Sequence, residues 1–159
     1  KKARIGKVET LHILGKAGGT QSAGALEQTL VELAAVVSDP TPKLILADEL
    51  EAITEPGAGA RIIAGMLLAA EAQPETSMLL VTHLAPAILG STGRDDLRVD
   101  GIEASGLGPD LELLVDRTPK RNHLARSTPE LIVKRLVEKS SGNAKALFGD
   151  ILDMFADAD

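Results

Sequence analysis

The sequence predicts an α/β fold: a mostly parallel sheet with helices between its strands, and further helices at its C-terminal end. Three observations predict it. Leu44-Ile45-Leu46-Ala47 and Met78-Leu79-Leu80-Val81 are short continuous apolar runs, the pattern of strands covered on both faces in a parallel sheet. Longer segments with apolar residues at helical spacing precede and separate them. Strand and helix alternate along the chain, which is the βαβ pattern with right-handed crossovers.

Composition narrows the class. The 159 residues suit one ordinary domain, and 44% hydrophobic with 25% charged residues is a globular balance. With 0 Cys, 0 Trp, 0 Tyr and 2 Phe, the core has to be aliphatic. Disulfide scaffolds, thiolate zinc sites, thiol nucleophiles and aromatic cages are thereby excluded. Absence of Cys fits a reducing, cytoplasmic setting. A formal net charge of -6 argues against a self-sufficient nucleic-acid clamp, which needs a basic surface. No run approaches a membrane span, and Lys1-Lys2-Ala3-Arg4 lacks both Met and the apolar stretch of a signal peptide, so the chain reads as a piece of something longer.

The elements follow in order. Residues 4–14 alternate loosely and read as a strand, and Gly15-Lys16-Ala17-Gly18-Gly19-Thr20-Gln21 as a flexible loop. Ser22 can cap a helix with Leu26, Leu30, Leu33 and Val37 on one face, which Asp39-Pro40-Thr41-Pro42 breaks. A strand at 44–47 ends in Asp48-Glu49. Pro56 suits the first turn of a second helix with Ile62, Ile63, Met66, Leu67 and Ala70 inward. The strand at 78–81 ends at Thr82-His83. Segments near 97–103 and 111–116 alternate more clearly and read as an antiparallel extension. Thr128-Pro129-Glu130 opens a helix that Gly142 ends, and Leu147, Phe148, Ile151, Leu152 and Phe155 mark an amphipathic last helix over 143–156. That helix reads as packed onto the body, with a dimer contact as the alternative.

Chemistry gathers at two strand ends. In open parallel sheets ligands collect at the carboxyl ends of strands, so Asp48, Glu49 and His83 should share one rim. Asp48 can hold Mg²⁺ through its waters, Glu49 can orient or deprotonate an attacking water, and His83 can report on a γ-phosphate or polarise that water. Taken alone, paired acids at a strand end read equally well as a solvated loop start. A glycine-rich loop opening a helix makes an anion site, to which Ser22 adds a hydroxyl, although an ordinary N-cap has the same residues. Glu27 reads as well as a surface charge. No G-x-x-x-x-G-K-[ST] occurs, so the phosphate cradle of an ATP site is missing and half a site remains.

The order Ser22-Ala23-Gly24-Ala25-Leu26-Glu27, then Leu44-Ile45-Leu46-Ala47-Asp48-Glu49-Leu50, then Thr54-Glu55-Pro56-Gly57, then Leu80-Val81-Thr82-His83 resembles the C-terminal half of a MutS-family ATPase domain, closest to the archaeal branch. The resemblance covers about residues 8–138. Ser22 and Glu27 match the signature-loop Ser and Glu, Asp48 and Glu49 the Walker B pair, and His83 the switch His. The Thr-Phe of the signature is Ala23-Gly24 here, its Met is Gln28, and the D-loop reads Glu51-Ala52-Ile53-Thr54 without the usual glycines.

The resemblance implies part of a three-layer, ABC-type P-loop NTPase domain. Residues 1–142 would form its C-terminal lobe and 143–159 a C-terminal helix and tail. It implies ATP and Mg²⁺ as cofactors, Glu49 and His83 as catalytic residues, Asp48 as metal ligand, and Ser22, Gly24, Asp48 and Thr54 against the nucleotide. It further implies a homodimer through an ATP sandwich, with Ser22 on the γ-phosphate bound by its partner. DNA would be bound through parts of the protein outside this chain, in mismatch repair or recombination, and no membrane is involved. Arg117, Lys120, Arg121 and Arg126 read either as a solvated turn or as contacts to a partner or to DNA phosphates. The chain alone is expected to be inactive. Two other readings stand beside this one: the corresponding lobe of an SMC-like head or transporter ATPase, whose L-S-G-G-Q is only partly matched by Gln21-Ser22-Ala23-Gly24-Ala25, and an α/β interaction module without a P-loop.

Overall fold

The computed structural model describes residues 7–12, 23–48, 50–125 and 128–156. The chain divides into two compact units, Lys1–Leu97 and Arg98–Asp159.

The first unit is a three-stranded parallel sheet with helices. Strand β1 (Lys7–His12) pairs with β2 (Lys43–Asp48), and β2 pairs on its other side with β3 (Thr76–Val81), giving the order β1-β2-β3. Helix α1 (Ala23–Ser38) connects the first two strands. A 3₁₀ turn (Leu50–Ile53) and α2 (Pro56–Glu71) connect the second and third. Both crossovers join parallel neighbours, as the βαβ pattern requires.

The core lies between these helices and one face of the sheet. Leu33 of α1, Ala47 of β2, Leu50 of the 3₁₀ turn, and Ala60, Ile63 and Ala64 of α2 pack together. A second group joins Val37, Ile45 and Ala70, and Met66 and Met78 pack against both. The apolar face expected of α1 is the one that packs: Leu33 and Val37 are buried, and Leu26 and Leu30 half-buried. On α2, Ile63 and Ala70 are buried as expected, whereas Ile62, Met66 and Leu67 are only half-buried. The other buried positions of α2 are the small residues Gly59, Ala60 and Ala64.

The expectation that the strand at 78–81 is covered on both faces is corrected. Its residues alternate, and Leu79 and Val81 are each 60% exposed. Register explains this. Leu46 lies beside Leu79 and Asp48 beside Val81, so these four share the face opposite Ile45, Ala47, Met78 and Leu80. Only the latter face meets the core clusters, so the described residues of the first unit form two layers. β3 is also an edge strand of the sheet.

At the amino end of β2, Lys43 is buried at 4% exposure. Its amino group donates to the carbonyls of Asp39 and Thr41, so the buried nitrogen is satisfied by the turn before the strand. The Asp39 carboxylate accepts the Thr41 N–H at 2.8 Å and pairs with Lys7 at 3.2 Å. Hydrogen bonds from Thr41, then the one from Lys7, hold the Asp39 carboxyl well below the ordinary carboxylate range.

One element escaped the sequence reading. Helix α3 (Ala85–Thr92) follows β3, packs on α2 and contributes the buried Ile88. Its C-cap, Gly93, sits at φ 64 in the left-handed region. Arg94 then pairs with Glu71 at the end of α2 and with Asp96.

The second unit contains a hairpin and two helices. Strands β4 (Asp100–Leu107) and β5 (Leu113–Arg121) are antiparallel, as expected, but hydrogen-bond only to each other. The expectation of an antiparallel extension to the first sheet is therefore corrected: they form a sheet of their own, with bulges that shift its register. Glu103, 9% exposed, faces Lys120 Nζ at 2.5 Å and His123 Nε2 at 3.0 Å. Helix α4 (Thr128–Lys139) packs on β4 and on α5 (Gly142–Ala156). Gly142, expected just past the end of the fourth helix, instead opens the fifth at φ 59. No helix among the described residues is long and apolar enough to cross a membrane.

Candidate functional site

The carboxyl ends of β2 and β3 are neighbours by hydrogen bonding. Asp48, the last residue of β2, stands opposite Val81, the last of β3, and His83 follows two residues later. Both Asp48 and His83 are exposed. Asp48 lies on the sheet face that carries Leu79 and Val81, away from the helical layer.

The chain after β2 turns at once. Leu50 and Ile53 are completely buried and pin the 3₁₀ turn against the core. This leaves Glu51 between them to reach across to the segment after β3, where its Oε1 accepts the backbone N–H of His83 at 2.8 Å. The second oxygen of Glu51, Oε2, is buried without a hydrogen-bond partner among the described residues. Thr82 Oγ1 accepts the N–H of Leu84 at 3.0 Å, which shapes the turn into α3 around His83. Thr54 is half-buried between the 3₁₀ turn and α2, whose first residue is Pro56.

Helix α1 returns from the carboxyl rim. Its last residue, Ser38, precedes β2 by a short turn at the amino rim, and 16 residues at ~1.5 Å each give about 24 Å of axis. Its first turn therefore lies toward the rim that carries Asp48. Gly24 and Glu27 are exposed there, and a Cβ added at Gly24 would meet nothing. Ser22, Glu49 and Arg126 lie outside the described residues. Arg117, Lys120 and Arg121 are exposed on β5 of the second unit, where Lys120 pairs with the buried Glu103.

A magnesium site can be tested against these groups. Among the described residues no cluster of three or more acids and histidines could hold a metal. Asp48 is a single exposed carboxylate, which fits an ion that keeps most of its waters and binds through one or two carboxylates and substrate phosphates. A cage built wholly of protein ligands does not fit.

The contact of Glu51 with the His83 segment was not expected from the sequence, where Glu51 entered only as a departure from a glycine pattern. The available signal was an acid between Leu50 and Ile53, directly after a strand-ending Asp-Glu.

No known family pattern matches the chain. It is 40% identical over 155 residues to the DNA-binding protein MutS2 of Pyrococcus furiosus, a stretch that takes in 98% of this chain and 27% of that protein. The chain thus spans about a quarter of the length of the relative it matches. Along nearly its whole length, the chain is similar to a part of that protein.

Proposed function

We propose that the chain is the C-terminal lobe of a MutS-like, ABC-type ATPase domain, in which nucleotide-driven dimerisation is coupled to DNA mismatch repair or recombination. The observation that carries this reading is the pairing of β2 with β3, which brings Asp48, at the end of β2, beside the segment that leads to His83. An ATP site of this type needs its water-orienting carboxylate, its metal carboxylate and its phosphate-sensing histidine on adjacent strand ends. The likeness to a protein named for DNA binding adds the DNA-directed part of the proposal.

Each residue has a task in this reading. Glu49 orients and deprotonates the attacking water. Asp48 holds the waters of Mg²⁺, which when bound supplies charge neutralisation at the β- and γ-phosphate oxygens. His83 donates toward the γ-phosphate. Ser22, which precedes α1 in sequence, meets the γ-phosphate bound by a second subunit, and Gly24 in the first turn of α1 lies against the nucleotide, where the helix N-terminus favours negative charge. Thr54 lies against the nucleotide at the dimer junction. The P-loop that cradles the phosphates belongs to sequence outside this chain.

The test is turnover and nucleotide affinity in the P-loop-containing protein, for the wild type, Glu49→Gln and Asp48→Asn under the same Mg²⁺. Glu49→Gln keeps the shape and loses the proton acceptor, so ATP still binds while hydrolysis falls by ~10²–10⁴-fold. Asp48→Asn weakens Mg²⁺-dependent binding instead. Full activity in the Glu49→Gln protein refutes the base assignment, and robust turnover by the 159-residue chain alone refutes the half-site reading.

A further inference from the structure

Glu51 joins the two segments from which the candidate site is built. Its backbone is fixed on three sides: Leu50 and Ile53 are both fully buried, and a Cβ at Gly59 of α2 would come within 3.4 Å of the Glu51 carbonyl oxygen. From that fixed base the side chain reaches 32 residues along the chain to the His83 amide, at 2.8 Å. A carboxylate accepting a backbone N–H is a charge-assisted bond, stronger and more directional than a neutral one. A buried Oε2 without a partner among the described residues is unfavourable for stability, so the packing of the core does not account for a carboxylate here.

We propose that Glu51 is a positioning residue: its carboxylate clamps the backbone of His83 and transmits the geometry of the β2 end to the segment after β3. His83 is exposed and sits in a bend between β3 and α3, where no strand among the described residues pairs with it. The clamp supplies that constraint, so a shift of the turn after Asp48 moves the imidazole-bearing backbone with it. The consequence for catalysis rests on the ATPase reading above. The clamp itself does not.

Two measurements separate these levels. The first is hydrogen exchange of the His83 amide in this chain, for the wild type, Glu51→Met and Glu51→Gln. Met keeps the bulk without an acceptor, whereas Gln keeps an oxygen that can accept the same N–H. The wild-type amide is expected to be protected, and Glu51→Met to speed its exchange by about tenfold or more. Glu51→Gln stays within about threefold of wild type, and the Ile45 and Met78 amides of the sheet are unchanged throughout. An unprotected His83 amide in the wild type overturns the clamp, even if Glu51→Met fails to fold. Equal exchange in the Met variant and wild type overturns it as well.

The second measurement is steady-state ATP turnover in the P-loop-containing protein. Glu51→Met is expected to lower kcat by on the order of ten- to a hundredfold, with KM for ATP little changed and Glu51→Gln restoring most of the rate. Faster amide exchange with unchanged kcat refutes the positioning role and leaves the ATPase reading standing. A wild-type protein without ATPase activity refutes that reading, while the exchange data still decide the clamp.

Discussion

Two aliphatic residues on adjacent strands should respond very differently to truncation. Ile45 of β2 is completely buried between the helices, in the group formed with Val37 and Ala70. Leu79 of β3 is 60% exposed on the opposite sheet face. Each change to Ala removes three carbons, worth about 2.4 kcal/mol of transfer free energy at ~0.8 kcal/mol per group if fully buried. For Ile45→Ala the whole of this is lost and a cavity term is added, because Met66 and Met78 fill the space only partly; about 3–4 kcal/mol is expected. For Leu79→Ala only about two fifths of the side chain leaves a buried environment, so about 1 kcal/mol is expected. Urea unfolding of the three proteins, followed by far-ultraviolet circular dichroism at several protein concentrations, measures the difference. A Leu79→Ala loss equal to that of Ile45→Ala refutes the assignment of faces. A loss growing with protein concentration shows instead that the exposed face is covered by self-association.

Other expectations concern separate parts of the chain. Gly101→Ala puts a Cβ within 2.6 Å of the His123 carbonyl oxygen, so the hairpin has to shift; a loss of about 1–3 kcal/mol in thermal unfolding is expected, and a neutral result contradicts the geometry. The lowered Asp39 pKa gives stability that is fully present above the unfolded value of about 3.9 and disappears as pH falls through the carboxylate range toward the depressed folded value. Asp39→Asn should therefore flatten the fall in Tm between about pH 5 and pH 3, whereas parallel wild-type and variant curves contradict it. In the P-loop-containing protein, Ser22→Ala should impair ATP-dependent dimer closure more than ATP binding, and loss of nucleotide binding by a monomer with closure intact would refute its action across the dimer.

Much of the first unit was legible from pattern alone. Leu33 and Val37 share a face because helical spacing puts them there, and the run at 44–47 ends in Asp48 just as the strand does. β3 misled for a physical reason. Its exposed positions 79 and 81 are apolar, so alternation of burial left no alternation of chemistry in the sequence. Helix α3 was hidden because half of its eight residues are Ala, Gly or Ser and a single buried Ile88 makes no period. The separation of β4 and β5 from the parallel sheet is a matter of pairing partners, which local alternation does not encode. Asp48 and His83 were legible as strand-end groups. The hydrogen bond of Glu51 to the His83 N–H was not, because its partner lies across a whole helix and strand.

The turn before β2 shows how a chain can compensate for missing donors. Pro40 and Pro42 contribute no N–H, so the turn supplies fewer backbone donors to its carbonyls. The Lys43 amino group reaches back from inside the fold and takes two of those carbonyls. A lysine used in this way is withdrawn from solution chemistry. Amine-directed acylating reagents should label the exposed lysines first and Lys43 last, and the time at which it becomes reactive dates the opening of the sheet's amino rim.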